Sequence, residues 1–283
     1  MQWIGILNKL FTEIWSEIII IGRRKLLDNI EFIELTTENI EEIGCYCLRS
    51  KTKSTGYQGK KGWLIDQFRQ GLTYIQMLEN EKLAGFIEYT PIEHSSRVVY
   101  GENYYVIHCL WVNITGKGYA THLIEKVIQD AKDHKKNGVI VVTNPTTSWT
   151  PSKEVFIKKG FVEVDQAPYG FELLVYKMED APNPYFPNDW EERLTRYNNQ
   201  LTILRTKQCP YIDIAIDNVI EAATKLDIKA EIQLLQSREE LLRLSPTPYG
   251  VYGVVYKNQL ISYHRLTVHS AMKRMREVSV LKI

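Results

Sequence analysis

The sequence predicts a mixed α/β (α+β) fold arranged as two units, and three observations carry the prediction. Between Ile30 and about Asp180 the hydrophobic period switches repeatedly between two and 3.6 residues. The proline-rich stretch APNPYFPNDWEERLTRYNN then interrupts it, and a second, shorter series of strand and helix patterns begins at Leu201. A chain of 283 residues also exceeds the usual size of one domain. The expected layout is an N-terminal helical extension over residues 1–29, a larger domain over 30–180, a connection over 181–199 and a smaller domain over 200–283.

In the extension, Trp3, Leu7, Leu10, Phe11, Ile14, Trp15 and Ile18 recur at helical spacing and form one apolar stripe. Lys9, Glu13 and Glu17 interrupt it, and the run Ile18 to Ile21 falls far short of the ~20 residues a spanning helix needs. A docking helix or a dispensable extension is expected there, with a helix lying on a membrane surface as the alternative and no integral membrane segment.

In the larger domain, Phe32 to Leu35 reads as a strand and Thr36 to Leu48 as a helix capped by Thr37. A second helix covers Lys60 to Gln70, and strands Leu72 to Leu78 and Leu83 to Thr90 flank a turn at Glu79 to Lys82. Tyr104 to Val112 is nearly continuous apolar and aromatic sequence, suited to a strand buried on both faces. The turn Gly116-x-Gly118 follows, then a helix with Leu123, Ile124, Val127, Ile128 and Ala131 on one face, then Asn137-Gly138 and the buried strand GVIVVT. With parallel strands this is a βαβ unit. In the smaller domain, strand Leu201 to Thr206 leads to a helix through Ile212, Ile216, Val219, Ala223 and Leu226. Strand Ala230 to Leu235, a capping box of Ser237 with Glu240 and a hairpin around Lys257-Asn258 complete it.

Composition limits the function. With 35 basic against 34 acidic side chains the formal charge is +1, which gives no global field to hold a nucleic acid, and lysine pairs such as Lys60-Lys61 and Lys135-Lys136 read as solvated surface. Four cysteines, Cys45, Cys47, Cys109 and Cys209, are too few for a disulfide scaffold and point to a reducing, cytoplasmic compartment. Cys45-x-Cys47 has no second Cys or His pair at finger spacing, so no metal is expected and both cysteines read as small apolar helix residues.

A strand delivered into Gly116-Lys117-Gly118-Tyr119-Ala120 and then into a helix presents unpaired amides at the positive end of a helix dipole, a setting for phosphate oxygens. A Walker A loop is excluded, because no glycine precedes at the required spacing and Gly118 follows the lysine. A dinucleotide fingerprint would need a third glycine where Thr121 stands. The segment resembles the GNAT N-acetyltransferases: Gly116, its spacing to Gly118 and the final Ala120 match their coenzyme motif, with Thr115 where that family has Arg or Gln. Val155-Phe156-Ile157-Lys158-Lys159-Gly160-Phe161 is similar to the family's second motif. The segments FIEYTPIEHSSR, HCLWVNITGKGYATHLI, IKKGF, PYGFELLVYKM, QCPY and PTPYGVYGVVY resemble the bacterial YoaP-like branch, in which a GNAT domain precedes a small thioredoxin-like one.

That resemblance implies a mixed central sheet flanked by helices, plus a smaller thioredoxin-like α/β domain, with acetyl-CoA as cosubstrate and an amine acceptor. The two central strands would splay beyond Trp111 and Val142. Leu110, Trp111 and Val112 would meet the pantetheine, the amides of Gly116, Lys117, Gly118, Tyr119, Ala120 and Thr121 the pyrophosphate, and Asn144 and Phe156 would complete the coenzyme site. Transfer needs a free amine lone pair, whereas an ammonium of pKa about 10 is protonated at neutral pH. Glu88, acidic within an apolar strand, is the first candidate base and His108 the alternative. Phe156 stands where many relatives carry the acidic tyrosine, so Tyr169 is the candidate proton donor. Cys209, between a strand and a helix, is a candidate thiol site whose pKa the helix amides would lower, and Pro248 would face it as a cis-proline. Ile212 replaces the second cysteine of Cys-Pro-Tyr-Cys, which excludes a dithiol cycle in that motif. Three readings stand: an acetyltransferase with an accessory domain, a monothiol redox or thiol-sensing protein, and a non-catalytic acyl-CoA sensor; a homodimer is admitted by each.

Overall fold

Residues 30–197 and 200–280 are described by a computed structural model; the amphipathic stripe of residues 1–28 lies outside them. In chain order the elements are β1 (Ile30–Leu35), α1 (Ile40–Ile43), α2 (Thr55–Phe68), β2 (Thr73–Glu79), β3 (Lys82–Pro91), β4 (Tyr104–Val112), α3 (Tyr119–Asp133), β5 (Gly138–Thr143), α4 (Lys153–Ile157), β6 (Val162–Ala167) and β7 (Phe171–Lys177). Then come α5 (Trp190–Thr195), β8 (Leu201–Arg205), α6 (Ile212–Lys225), β9 (Ala230–Leu234), α7 (Arg238–Leu244), β10 (Tyr252–Tyr256), β11 (Gln259–Ser262) and α8 (Val268–Val280).

Seven strands form one sheet in the order β1-β2-β3-β4-β5-β7-β6, and four form a second in the order β11-β10-β8-β9. Within the first, β4 and β5 alone run parallel, as the strand, glycine turn, helix and strand pattern requires. Alternation along β5 assigns the faces. Val139 and Val141 pack with Leu123, Ile124 and Val127 of α3, while Ile140 and Val142 join Tyr104, Val106, Leu173 and Val175 on the opposite face. That opposite face shares one apolar core with Ile203, Val219, Tyr252 and Met275 of the second sheet and its helices.

Several expectations need correction. The helix expected over Thr36 to Leu48 is cut to α1, because the backbone enters the left-handed region at Gly44 (φ 72°). Asn39, and not Thr37, stands at its start, its side chain accepting from the Thr36 N–H (2.8 Å) and donating to the Glu34 carbonyl (2.9 Å). Cys45 and Cys47 therefore lie outside any helix. Helix α2 begins five residues earlier than expected, capped by the Ser54 hydroxyl (3.3 Å from the Tyr57 N–H); Gly56, Gly59 and Gly62 had blurred its apolar period. Strand β6, half of its residues charged or amide, has too weak an alternation to read. The connection after residue 180 is packed: Tyr185 bridges to Tyr100, and Trp190, Arg193 and Leu194 of α5 are buried. No described peptide bond is cis, so Pro248 is trans, and its carbonyl accepts the Val98 N–H (3.1 Å) across the two sheets' boundary.

The two units meet closely. Arg238, on α7, donates to three carbonyls of the segment before β4: Ser95 (2.6 Å), Arg97 (3.0 Å) and Val99 (2.8 Å). Gly56 of α2 sits against Pro210, whose carbonyl oxygen would lie 2.2 Å from any added Cβ, so a side chain there would push the helix off the smaller unit. Beside it, Thr55 Oγ1 donates to Asp213 Oδ2 (2.8 Å).

Candidate active site

Two irregularities in β4 make the site. Its register with β3 shifts between Glu88↔Cys109 and Tyr89↔Ile107, so His108 is the extra residue of a β-bulge. Above the bulge Tyr104 and Val106 face the second unit; below it Cys109 and Trp111 take that face, leaving Leu110 and Val112 toward α3. Pairing with β5 ends at Ile107↔Val141, so the strands part four residues sooner on β4 than the expected point beyond Trp111. The bulge bends β4 away at that level.

The parting opens a cavity of about 410 Å³ between the two units. Tyr46, Cys47, Lys60, Phe86, Glu88, Arg97, His108, Cys109, Trp111, Ser148 and Trp149 line it from the larger unit, and Gln208, Cys209, Pro210, Tyr211, Tyr249 and Arg265 from the smaller. A wider cleft of about 750 Å³ lies between α2 and α7, bordered by Trp63, Lys207 and Arg238, but it contains no buried acid–base cluster.

Such a cluster backs the smaller cavity. Glu88, fully buried, accepts from Lys60 Nζ, from Gln208 Nε2 (2.9 Å) and from His108 Nδ1 (3.3 Å). Burial alone would raise its carboxyl; the Lys60 charge, with hydrogen bonds from His108 and Lys60, outweighs burial and holds it near 2. His108 Nε2 accepts the Ser96 backbone N–H (2.9 Å), a donor that cannot reverse its role, so the ring proton is on Nδ1 and points to Glu88. Burial lowers this imidazole to about 4 against the pull of Glu88. Arg97, also buried, reaches the His108, Ser96 and Tyr249 carbonyls and Gln208 Oε1. Lys60 rests over the Trp63 ring at 4.3 Å. Both candidate bases are thus present, adjacent, and engaged at every nitrogen or oxygen with a resolved partner.

The other sequence candidates divide. Gly116 (φ 84°) and Gly118 (φ 81°) turn through the left-handed region directly into α3, whose first turn has no side-chain cap. Open space surrounds them: no atom lies within 4 Å of a Cβ at Gly116, and only His122 Nε2, at 3.9 Å, near one at Gly118. The amides of Tyr119, Ala120 and Thr121 begin that helix, and Lys117 pairs with Glu79 (3.0 Å) at the rim. Phe156 is wholly buried against Phe161, at 5.2 Å between rings. Asn144 is buried and bonded to the Tyr169 carbonyl (2.9 Å), Thr146 and the Tyr263 hydroxyl (3.2 Å). Tyr169 stands at an exposed turn between β6 and β7 and does not line the cavity. Cys209 does line it, but burial raises its thiol pKa over the opposing hydrogen bond from the Tyr211 amide, against the expected lowering. Lys60, expected on solvated surface, is instead 2% exposed, because α2 turns it inward onto Glu88; Arg97 and Gln208 went unread, because nothing local in sequence ties them to Glu88 or His108.

The acetyltransferase (GNAT) family model matches residues 41–161, from α1 through Phe161, which is most of the larger unit. Over 247 residues, 86% of this chain and 97% of the relative, the sequence is 27% identical to an uncharacterized N-acetyltransferase, YoaP, of Bacillus subtilis (strain 168). That span is longer than the larger unit alone. Similar solved structures include an acetyltransferase of the GNAT family from Staphylococcus aureus Mu50, at 15% identity over 53% of this chain and 99% of that one (TM-score 0.40). Another is the PaiA N-acetyltransferase from Thermoplasma acidophilum in complex with coenzyme A, at 16% identity over 53% and 99% (TM-score 0.38).

Proposed function

We propose that the protein moves an acetyl group from acetyl-CoA to an amine seated in the cavity between its two units. The observation that carries this reading is the course of β4: it parts from β5, lines the cavity with Cys109 and Trp111, and ends in the glycine turn that opens α3. The open cradle at Gly116 and Gly118 and the uncapped amides of α3 fit a pyrophosphate, and the backbone of Leu110 and Val112, unpaired toward β5, fits the pantetheine arm. Bound there, acetyl-CoA supplies the activated acetyl group.

The chain's own contribution is positioning and charge. Glu88 near 2 is too weak a base for an ammonium, and His108 near 4 has both nitrogens occupied. They act as positioning residues, holding Lys60 and Arg97 beside the cavity. Those two cations and the dry walls lower an incoming amine's pKa, so the acceptor binds as the free base after giving its proton to solvent. The order β11-β10-β8-β9, with β8 and β9 parallel and Cys209 just ahead of α6, supports a thioredoxin-like reading of the smaller unit, used here as a cavity wall. Four unpaired cysteines support a cytoplasmic location.

Calorimetric titration of acetyl-CoA into the protein and into Gly118→Trp tests the reading. Binding by the unmodified protein and loss in the variant are expected; no binding by the folded, unmodified protein overturns it.

A further inference from the structure

The charges around the cavity do not balance. Glu88 is the carboxylate that lines it, and Lys60 already pairs with that group. Arg97 and Arg265 border the same space, and neither makes an ion pair among the described residues. Arg97 is 3% exposed, yet each of its partners is neutral: three backbone carbonyls, the Gln208 amide oxygen and the Tyr249 ring, 5.1 Å from its guanidinium. His108 adds no negative charge and Glu88 is shared, so the cavity holds two more cations than carboxylates. An uncompensated buried cation is costly, and an anion arriving with a ligand would relieve it. Arg265, exposed at the mouth and carried by the smaller unit, is free to meet that anion directly.

The remaining wall is aromatic. Trp111 and Tyr211 are half exposed at the opening, and Trp149 and Phe86 lie deeper. A space of about 410 Å³ closed by a second domain is of the size that takes a small molecule and is too narrow for the surface of a folded protein.

Resting on the transfer reading above, we propose that the acceptor is a small amine that also carries a carboxylate. Its carboxylate meets Arg265 in the field of Arg97, and its apolar body lies against Trp111, Trp149 and Tyr211. The same field that holds the carboxylate keeps the amine unprotonated, so one arrangement of charge serves both recognition and readiness for attack.

The test uses the full chain and the proteinogenic amino acids, with β-alanine and 4-aminobutyrate, each paired with its methyl ester. Binding is read by calorimetry without acetyl-CoA, and transfer by release of coenzyme A thiol. At least one free acid is expected to bind about tenfold or more tighter than its ester, and to slow alkylation of Cys209 by iodoacetamide. Arg265→Gln is expected to erase the acid-over-ester ratio while leaving acetyl-CoA affinity unchanged. Esters binding as well as acids, a ratio unmoved by Arg265→Gln, or no acid binding at millimolar concentration would each overturn the proposal. Acid-selective binding without thiol release would instead sink the transfer reading and leave the anion preference standing, so the two failures are distinguishable.

Discussion

Glu88 shows how a single residue type misleads and informs at once. Its charge within GFIEY marks it as unusual, and the structure gives it three donors, one from α2, one from β4 and one from the second unit. Removing its charge by Glu88→Gln leaves Lys60 buried without a counter-charge, an expected loss of about 3–5 kcal/mol in unfolding free energy. The double change Lys60→Met with Glu88→Gln should recover much of it; chemical denaturation of the parent and the two variants checks this, and a Glu88→Gln protein as stable as the parent would refute the pairing. His108 sets a pH dependence. Its folded pKa, about 4, lies below the ordinary 6.5, so the unfolded chain binds the extra proton as pH falls between those values. Stability on the order of 3 kcal/mol, full above 6.5, should be lost progressively toward pH 4. Glu88 adds a second loss between 4.5 and about 2, by the same sign. A thermal midpoint flat from pH 7 to 4.5 would mean that His108 is already charged in the fold. Polar residues in apolar strands were legible; their partners were not, since Gln208 lies 120 positions from Glu88.

At the scale of elements, the glycine turn was the most legible feature, because a turn needing positive φ restricts residue type at its own position. Gly116→Ala isolates that requirement, since its Cβ would enter empty space. A left-handed alanine costs about 1 kcal/mol. The loss should appear in the thermal midpoint or, where the free loop relaxes to negative φ, as an about fivefold weaker acetyl-CoA affinity by calorimetry. Both quantities unchanged would show that the turn's geometry does not matter. The bulge in β4 was illegible for the opposite reason. CLWV is apolar at both alternating positions, so alternation cannot reveal that His108 and Cys109 share a face. The helix expected through Cys45 and Cys47 failed at Gly44, where one left-handed residue outweighed a sound apolar period.

Across the whole molecule, one apolar core runs through both sheets, and Arg238 ties them by three charge-assisted hydrogen bonds. Unfolding should therefore be a single calorimetric transition. Arg238→Ala should lower its midpoint by the equivalent of about 3 kcal/mol; two resolved transitions in the unmodified protein would show the units to be independent. Proline punctuation suggests a connection in the sequence, but it could not reveal that the cavity has one wall from either side of that stretch. That division has a historical consequence. A binding chamber assembled from two separately encoded halves can change its ligand by recombination within residues 181–199, one crossover replacing Cys209, Tyr211, Tyr249 and Arg265 together while the strand and turn proposed to hold the coenzyme pass on unaltered. Acceptor preference would then be inherited as a block, and lineages could diverge in what they modify without revising how they modify it.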